Sequence, residues 1–158
     1  MLGVGNVILG DEGFGPEVAR RLGEAGLPAG VRVEEGGVGG FNLLGSLDGI
    51  ERLIVIDVMD AAISPGEVRL FRPETGFGGH GGQAISFHQV GVLELLQMWR
   101  LLGHEPDVYL LVTRPEKLAW GTELSPSVRK AAARAISLVR ELAADDFAAL
   151  ERSPCITS

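Results

Sequence analysis

Apolar positions recur along the chain in two rhythms. Leu53-Ile54-Val55-Ile56 and Val108–Val112 are unbroken aliphatic and β-branched runs, the pattern of strands buried on both faces. Val31-Arg32-Val33-Glu34 and Glu67–Phe71 alternate, as half-covered strands do. Leu2–Val4 is a very short apolar run closed by Gly5-Asn6, and reads as a first strand. The second rhythm is helical. Pro16 opens a segment that stops near Gly26-Leu27-Pro28, and proline suits the first helical position. Phe41, Leu44 and Leu47 share one face of a short helix. Ser86 heads a helix running to Leu102, with Gln89 completing a capping box. Val92, Leu95, Leu96, Trp99 and Leu102 form its apolar face. Ser125-Pro126 opens the last long helix, in which Val128, Ala132, Ala135, Val139 and Leu142 recur at spacings of 3 and 4.

The element order is β-α-β-α-β-β-α-β-α. It predicts an α/β fold with three layers, α/β/α, around a mostly parallel, twisted sheet of about five strands. Ser64-Pro65-Gly66 is too short for a crossover, so the strand after it is expected to run antiparallel. Residues 1–158 read as a single domain, with an irregular tail from about residue 151. Such sheets bind ligands beyond the carboxyl ends of their strands. The places to look are therefore after Val4, Val33, Ile56 and Val112.

Composition narrows the partners. Lys and Arg number 14 against 21 Asp and Glu, a net charge of −7, which is a poor match for phosphate backbones. No nucleic-acid partner is expected. No apolar run approaches the ~20 residues that span a bilayer, and Met1–Asn6 lacks the features of a signal peptide, so no membrane is expected either. The single cysteine, Cys155, excludes an internal disulfide and fits a reducing cytoplasm. Glycine is the abnormal count, 23 of 158, about twice the usual ~7%.

The first glycine cluster, Gly3 to Gly15, has two readings. It lets backbone pass close to backbone, or it is a dinucleotide-binding fingerprint. Three features speak against the second. Ile8 stands where the third glycine belongs, the helix starts late, and Asp11-Glu12 would oppose a diphosphate. Two adjacent carboxylates at a ligand edge suit a cation better. Asp57 follows the central run and either points into the crevice or caps the next turn. Asp60 is the better turn residue. His88 follows the Ser86 cap, where the helix dipole favours a neutral imidazole, the form a metal needs. His80 lies in the glycine loop 76–82, and His104 precedes Glu105-Pro106; both read as surface. Glu12, Asp57 and His88 match no local metal spacing, so it is the fold that groups them. Two carboxylates and an imidazole suit a divalent ion of borderline hardness, with positions left for substrate.

The chain resembles the hydrogenase maturation proteases, endopeptidases that trim the large subunit of nickel–iron hydrogenases. The resemblance runs from Met1 to about residue 142. It is carried by Gly3-Val4-Gly5-Asn6-Val7-Ile8-Leu9-Gly10-Asp11-Glu12-Gly13-Phe14-Gly15, by Leu53–Asp57 and by Ser86-Phe87-His88-Gln89-Val90-Gly91. Gly36-Gly37 and Gly121-x-x-Leu124-Ser125-Pro126 also match. Two departures stand out: the strand before Gly3 is short, and Phe87 stands where proline is common.

The resemblance implies that Glu12, Asp57 and His88 are the catalytic and metal-contacting residues. It implies removal of a short C-terminal extension from the precursor of a hydrogenase large subunit, in the cytoplasm, after nickel insertion. The nickel is expected to come with the substrate, and another divalent ion can occupy the site in vitro. The ion would position or polarise the scissile carbonyl or the attacking water. Either Glu12 or Asp57 would be the general base. No serine or cysteine is a credible nucleophile, since Cys155 is in the tail and Ser86 is a cap. The glycine loops 36–40 and 76–82 are expected to line the cleft, and a monomer suffices to bury the apolar helix faces. Two other readings are a non-cleaving, metal-dependent chaperone for the same subunit, which uses the same residues, and a Rossmann-type nucleotide-binding protein.

Overall fold

The computed structural model describes residues 1–38, 49–60, 62–73, 96–152 and 155–157. Its strands are β1 (Leu2–Val4), β2 (Glu34–Gly37), β3 (Arg52–Val58), β4 (Val68–Phe71), β5 (Asp107–Thr113) and β6 (Cys155–Thr157). Its helices are α1 (Phe14–Ala25), α2 (Pro126–Ala144) and α3 (Ala148–Arg152), with a 3-10 turn at Gly10–Gly13. The strands form one sheet in the order β2-β1-β3-β5-β4-β6. β1 is parallel to β2 and β3, and β3 to β5. β4 runs antiparallel to both its neighbours, β5 and β6. The sheet is thus mostly parallel with one reversed strand, as the pattern predicts, but that strand lies beside β5 and not beside β3.

β3 explains its own unbroken apolar run. Ile54, Ile56 and Val58 pack with Phe14, Val18 and Leu22 of α1 and with Val128, Ala132 and Val139 of α2. Leu53 and Val55 turn the other way and pack with Leu2, Val4, Leu110, Leu96 and Trp99. Residues 96–101 are helical, so helices cover both faces of the sheet. The earlier part of the expected helix 86–102, with its capping box, and the short helix 41–47 lie outside the described residues.

Three boundaries differ from the pattern. β2 begins at Glu34, not Val31. Val31 instead closes a turn on the Pro28 carbonyl, and pairing opens where Glu34 N–H meets the Met1 carbonyl. β1 is only three residues long, so its length sets where its partner begins, and Gly36-Gly37 falls inside the strand. α1 starts at Phe14, with Pro16 inside its first turn, where no N–H is missed. The tail expected to be irregular from about 151 instead carries the end of α3, then β6. β6 sets Ile156 opposite Leu70 and covers the outer edge of β4, giving a sixth strand where about five are expected.

The first glycine cluster serves close approach. A Cβ at Gly15 would lie 2.2 Å from the Val4 carbonyl oxygen and 2.3 Å from that of Ile56. A Cβ at Gly3 would lie 2.3 Å from the Gly15 carbonyl oxygen. The start of α1 therefore rests on bare main chain. Gly15→Ala is expected to cost about 3 kcal/mol or more in urea unfolding, because backbone must move. Gly23→Ala, on the same helix with nothing within 4 Å, is expected to stabilise by about 0.5–1 kcal/mol in the same measurement.

Candidate functional site

The strand order reverses direction between β1 and β3: β2 lies on one side of β1 and β3 on the other. Connections diverge at such a switch point and leave a crevice at the carboxyl ends of the two strands. Glu12 and Asp57 both belong to this place. Asp57 does not follow β3 but is part of it, one residue before the strand ends. It is fully buried, and its Oδ1 accepts the Val58 N–H at 2.8 Å. Alternation along β3 sets it on the face of Leu53 and Val55, the face that Leu96 and Trp99 cover.

Glu12 sits in the 3-10 turn that follows β1 and packs against β3. It is half-buried. Gly5, at φ +144°, brings this turn in: a Cβ there would lie 2.0 Å from the Glu12 carbonyl oxygen. The structure thus brings Glu12 and Asp57 to one edge of two neighbouring strands. His88, His80 and the glycine loop 76–82 lie outside the described residues. Asp60 is exposed and pairs with Arg114 at 3.4 Å. His104 stacks at 5.5 Å from Trp99, just before β5 opens and so at the opposite edge of the sheet.

Asp11 is the residue the sequence reading misplaces. Beside Glu12 it looks like the second half of a cation-binding pair. In the structure it is 1% exposed and turned into the protein. Its Oδ1 accepts the Ser125 N–H at 2.7 Å. Its Oδ2 accepts the N–H groups of Glu116 and Lys117, both at 2.8 Å, and the Ser125 hydroxyl at 2.9 Å. Four bonds hold the carboxylate, three of them on Oδ2. Adjacent residues of a 3-10 turn point about 120° apart, which is how two neighbouring acids reach different surroundings. Ser125, the residue before α2, spends its hydroxyl on Asp11 and makes no cap bond to the helix. A second tie runs beside the first. Leu9 and Gly121 form a parallel bridge, in which the Gly10 N–H donates to the Gly121 carbonyl at 2.7 Å and the Gly121 N–H to that of Ile8 at 3.0 Å.

A cleft of about 300 Å³ opens on the α1 side of the same turn, lined in part by Val7, Glu17, Arg21, Leu124 and Arg129. Its charges are largely committed to one another. Burial pushes the Glu17 carboxyl up, but hydrogen bonds and charge from Arg20 and Arg21 outweigh it and hold the carboxyl below its ordinary value. The cleft faces α1, whereas Asp57 lies on the other face of the sheet.

Known proteins resemble this chain in both sequence and fold. The profile of the hydrogenase maturation proteases, HycI, matches residues 16–142. The hydrogenase expression/formation protein HupD of Bradyrhizobium diazoefficiens is 34% identical over 151 residues, covering 92% of this chain and 77% of that one. HupD of Rhodobacter capsulatus is 36% identical, covering 91% and 70%. Among solved structures, the [NiFe] hydrogenase maturation protease HybD from Thermococcus kodakarensis superposes with a TM-score of 0.78 at 27% identity, covering 90% of this chain and 96% of that one. The hydrogenase maturating endopeptidase HybD from E. coli gives 0.71 at 29% identity, covering 99% and 93%. The chain belongs to the hydrogenase maturation protease family.

The Asp11 clamp makes a stability prediction. Asp11→Ala strands three backbone N–H groups and a hydroxyl, and is expected to lower the unfolding free energy by about 3–5 kcal/mol in urea titration. Asp11→Asn keeps one carbonyl acceptor and should recover part of that loss.

Proposed function

We propose that this chain cuts a short C-terminal extension from the precursor of a hydrogenase large subunit, in the cytoplasm, once nickel is in place. The nickel is part of the substrate, and Glu12, Asp57 and His88 contact it. The observation that carries this reading is the convergence of Glu12 and Asp57 on the switch point between β1 and β3, in a member of a protease family. Carboxylate oxygens and an imidazole nitrogen are a suitable donor set for such an ion. Asp57 sits away from water, where its charge acts on a cation with little screening. Glu12 is half-buried and so within reach of an attacking water, which suits it to the general base. The carboxylate would take a proton from the attacking water and return it to the leaving amine.

A cysteine mechanism does not fit the architecture. Cys155 lies on β6, three strands from β3, roughly 14 Å away at ~4.8 Å per strand. Among the described residues no helix is long and apolar enough to cross a membrane.

The test is to incubate the chain with nickel-loaded and nickel-free large-subunit precursor and to record intact masses. The expected result is loss of one defined C-terminal peptide from the nickel-loaded form alone. Glu12→Gln, Asp57→Asn and His88→Ala should each slow it at least ~100-fold, the usual scale for losing a proton-transfer or electrostatic group. Cys155→Ser should cut at the normal rate. A stable complex without any mass loss would replace the protease with a non-cleaving checkpoint.

A further inference from the structure

The rim beside Glu12 carries apolar side chains that the fold leaves in water. Trp120 is 81% exposed, Leu118 54% and Ile8 48%. These are not scattered residues. The parallel bridge between Leu9 and Gly121 runs Ile8 alongside Trp120, and Leu118 lies on the same segment. That segment is fixed at both ends: Asp11 holds the main chain of Glu116 and Lys117, and the bridge holds Gly121. Gly10, at φ +59°, lets the two segments close, since a Cβ there would meet the Ala119 carbonyl oxygen at 3.1 Å. The result is an apolar patch on a braced support, with little ordering entropy left to lose on contact.

We propose that Ile8, Leu118 and Trp120 are the surface that seats the substrate polypeptide next to the cutting edge. This rests on the protease reading above. The occupant follows from continuity. Ile8 and Glu12 lie on one short loop after β1, so a polypeptide brought to Glu12 passes this patch. An exposed tryptophan on a rigid support is the type of residue that dominates protein–protein binding energy. The segment received is one with an apolar side chain beside the scissile bond. Because the patch touches substrate equally before and during the reaction, its loss should raise KM and leave kcat alone.

The experiment measures cleavage of nickel-loaded large-subunit precursor by the full chain and by Trp120→Ala. Hydroxyl-radical footprinting of Trp120 is recorded with and without that precursor. Leu101→Ala is the control, a leucine 87% exposed on residues 96–101, ahead of β5 at the opposite edge. The expected result is a KM raised about 30-fold in Trp120→Ala, with kcat and thermal midpoint kept, and a several-fold loss of Trp120 oxidation when precursor is added. Leu101→Ala should match the parent. Normal KM with unchanged Trp120 oxidation, while precursor is still cut, overturns the docking surface and leaves the protease standing. Protection of Trp120 that grows with protein concentration without precursor also overturns it, because a second copy is then the occupant. Neither cutting nor protection overturns both.

Discussion

The first turn of α1 lies on the main chain of β1 and β3 with no side chain between them. Gly3 and Gly15 make that contact possible, and Gly5 extends it to the carbonyl of Glu12. The rest of the working edge follows. The connection from β1 to α1 has no room to loop outward, so it winds into the tight turn Gly10–Gly13 against the sheet. The three-residue period of that turn sends its two acids apart. Asp11 goes inward and gathers the chain between β5 and α2. Glu12 stays at the crevice, in the turn after the strand that neighbours the strand of Asp57. Three missing side chains thus determine where a carboxylate can stand.

Much of this fold is legible in the sequence, and the limits have physical causes. β3 and β5 are plain because burial on both faces demands unbroken apolar runs, and α2 is plain because one buried stripe imposes a period. β2 is displaced because its pairing is dictated by the short β1 and not by its own alternation. β6 leaves no trace, since three residues on an edge hold no period. Of the candidate site, Asp57 is legible from the end of a central strand, though the structure keeps it inside that strand. Glu12 is legible from the glycine loop and from motif order. Asp11 is not, because two adjacent acids look alike until the turn separates them. His88 rests on its motif and its place after Ser86, and lies outside the described residues.

The glycine-rich loop also shows how one composition serves opposite ends. A nucleotide site uses missing side chains to bring a ligand close to backbone. Here the same economy brings backbone close to backbone, and the ligand edge is built from charge instead. Of the loop's two acids only Glu12 is left to face a ligand, since Asp11 is spent on the chain's own N–H groups, while Gly3 and Gly15 are filled by the molecule's own main chain.

The bond from Ser125 to Asp11 spans 114 residues. A nascent chain cannot brace the turn after β1 until the start of α2 has been synthesised. The fold therefore carries its own timing: a partly made chain holds Asp11 and Glu12 without the segment that draws them apart.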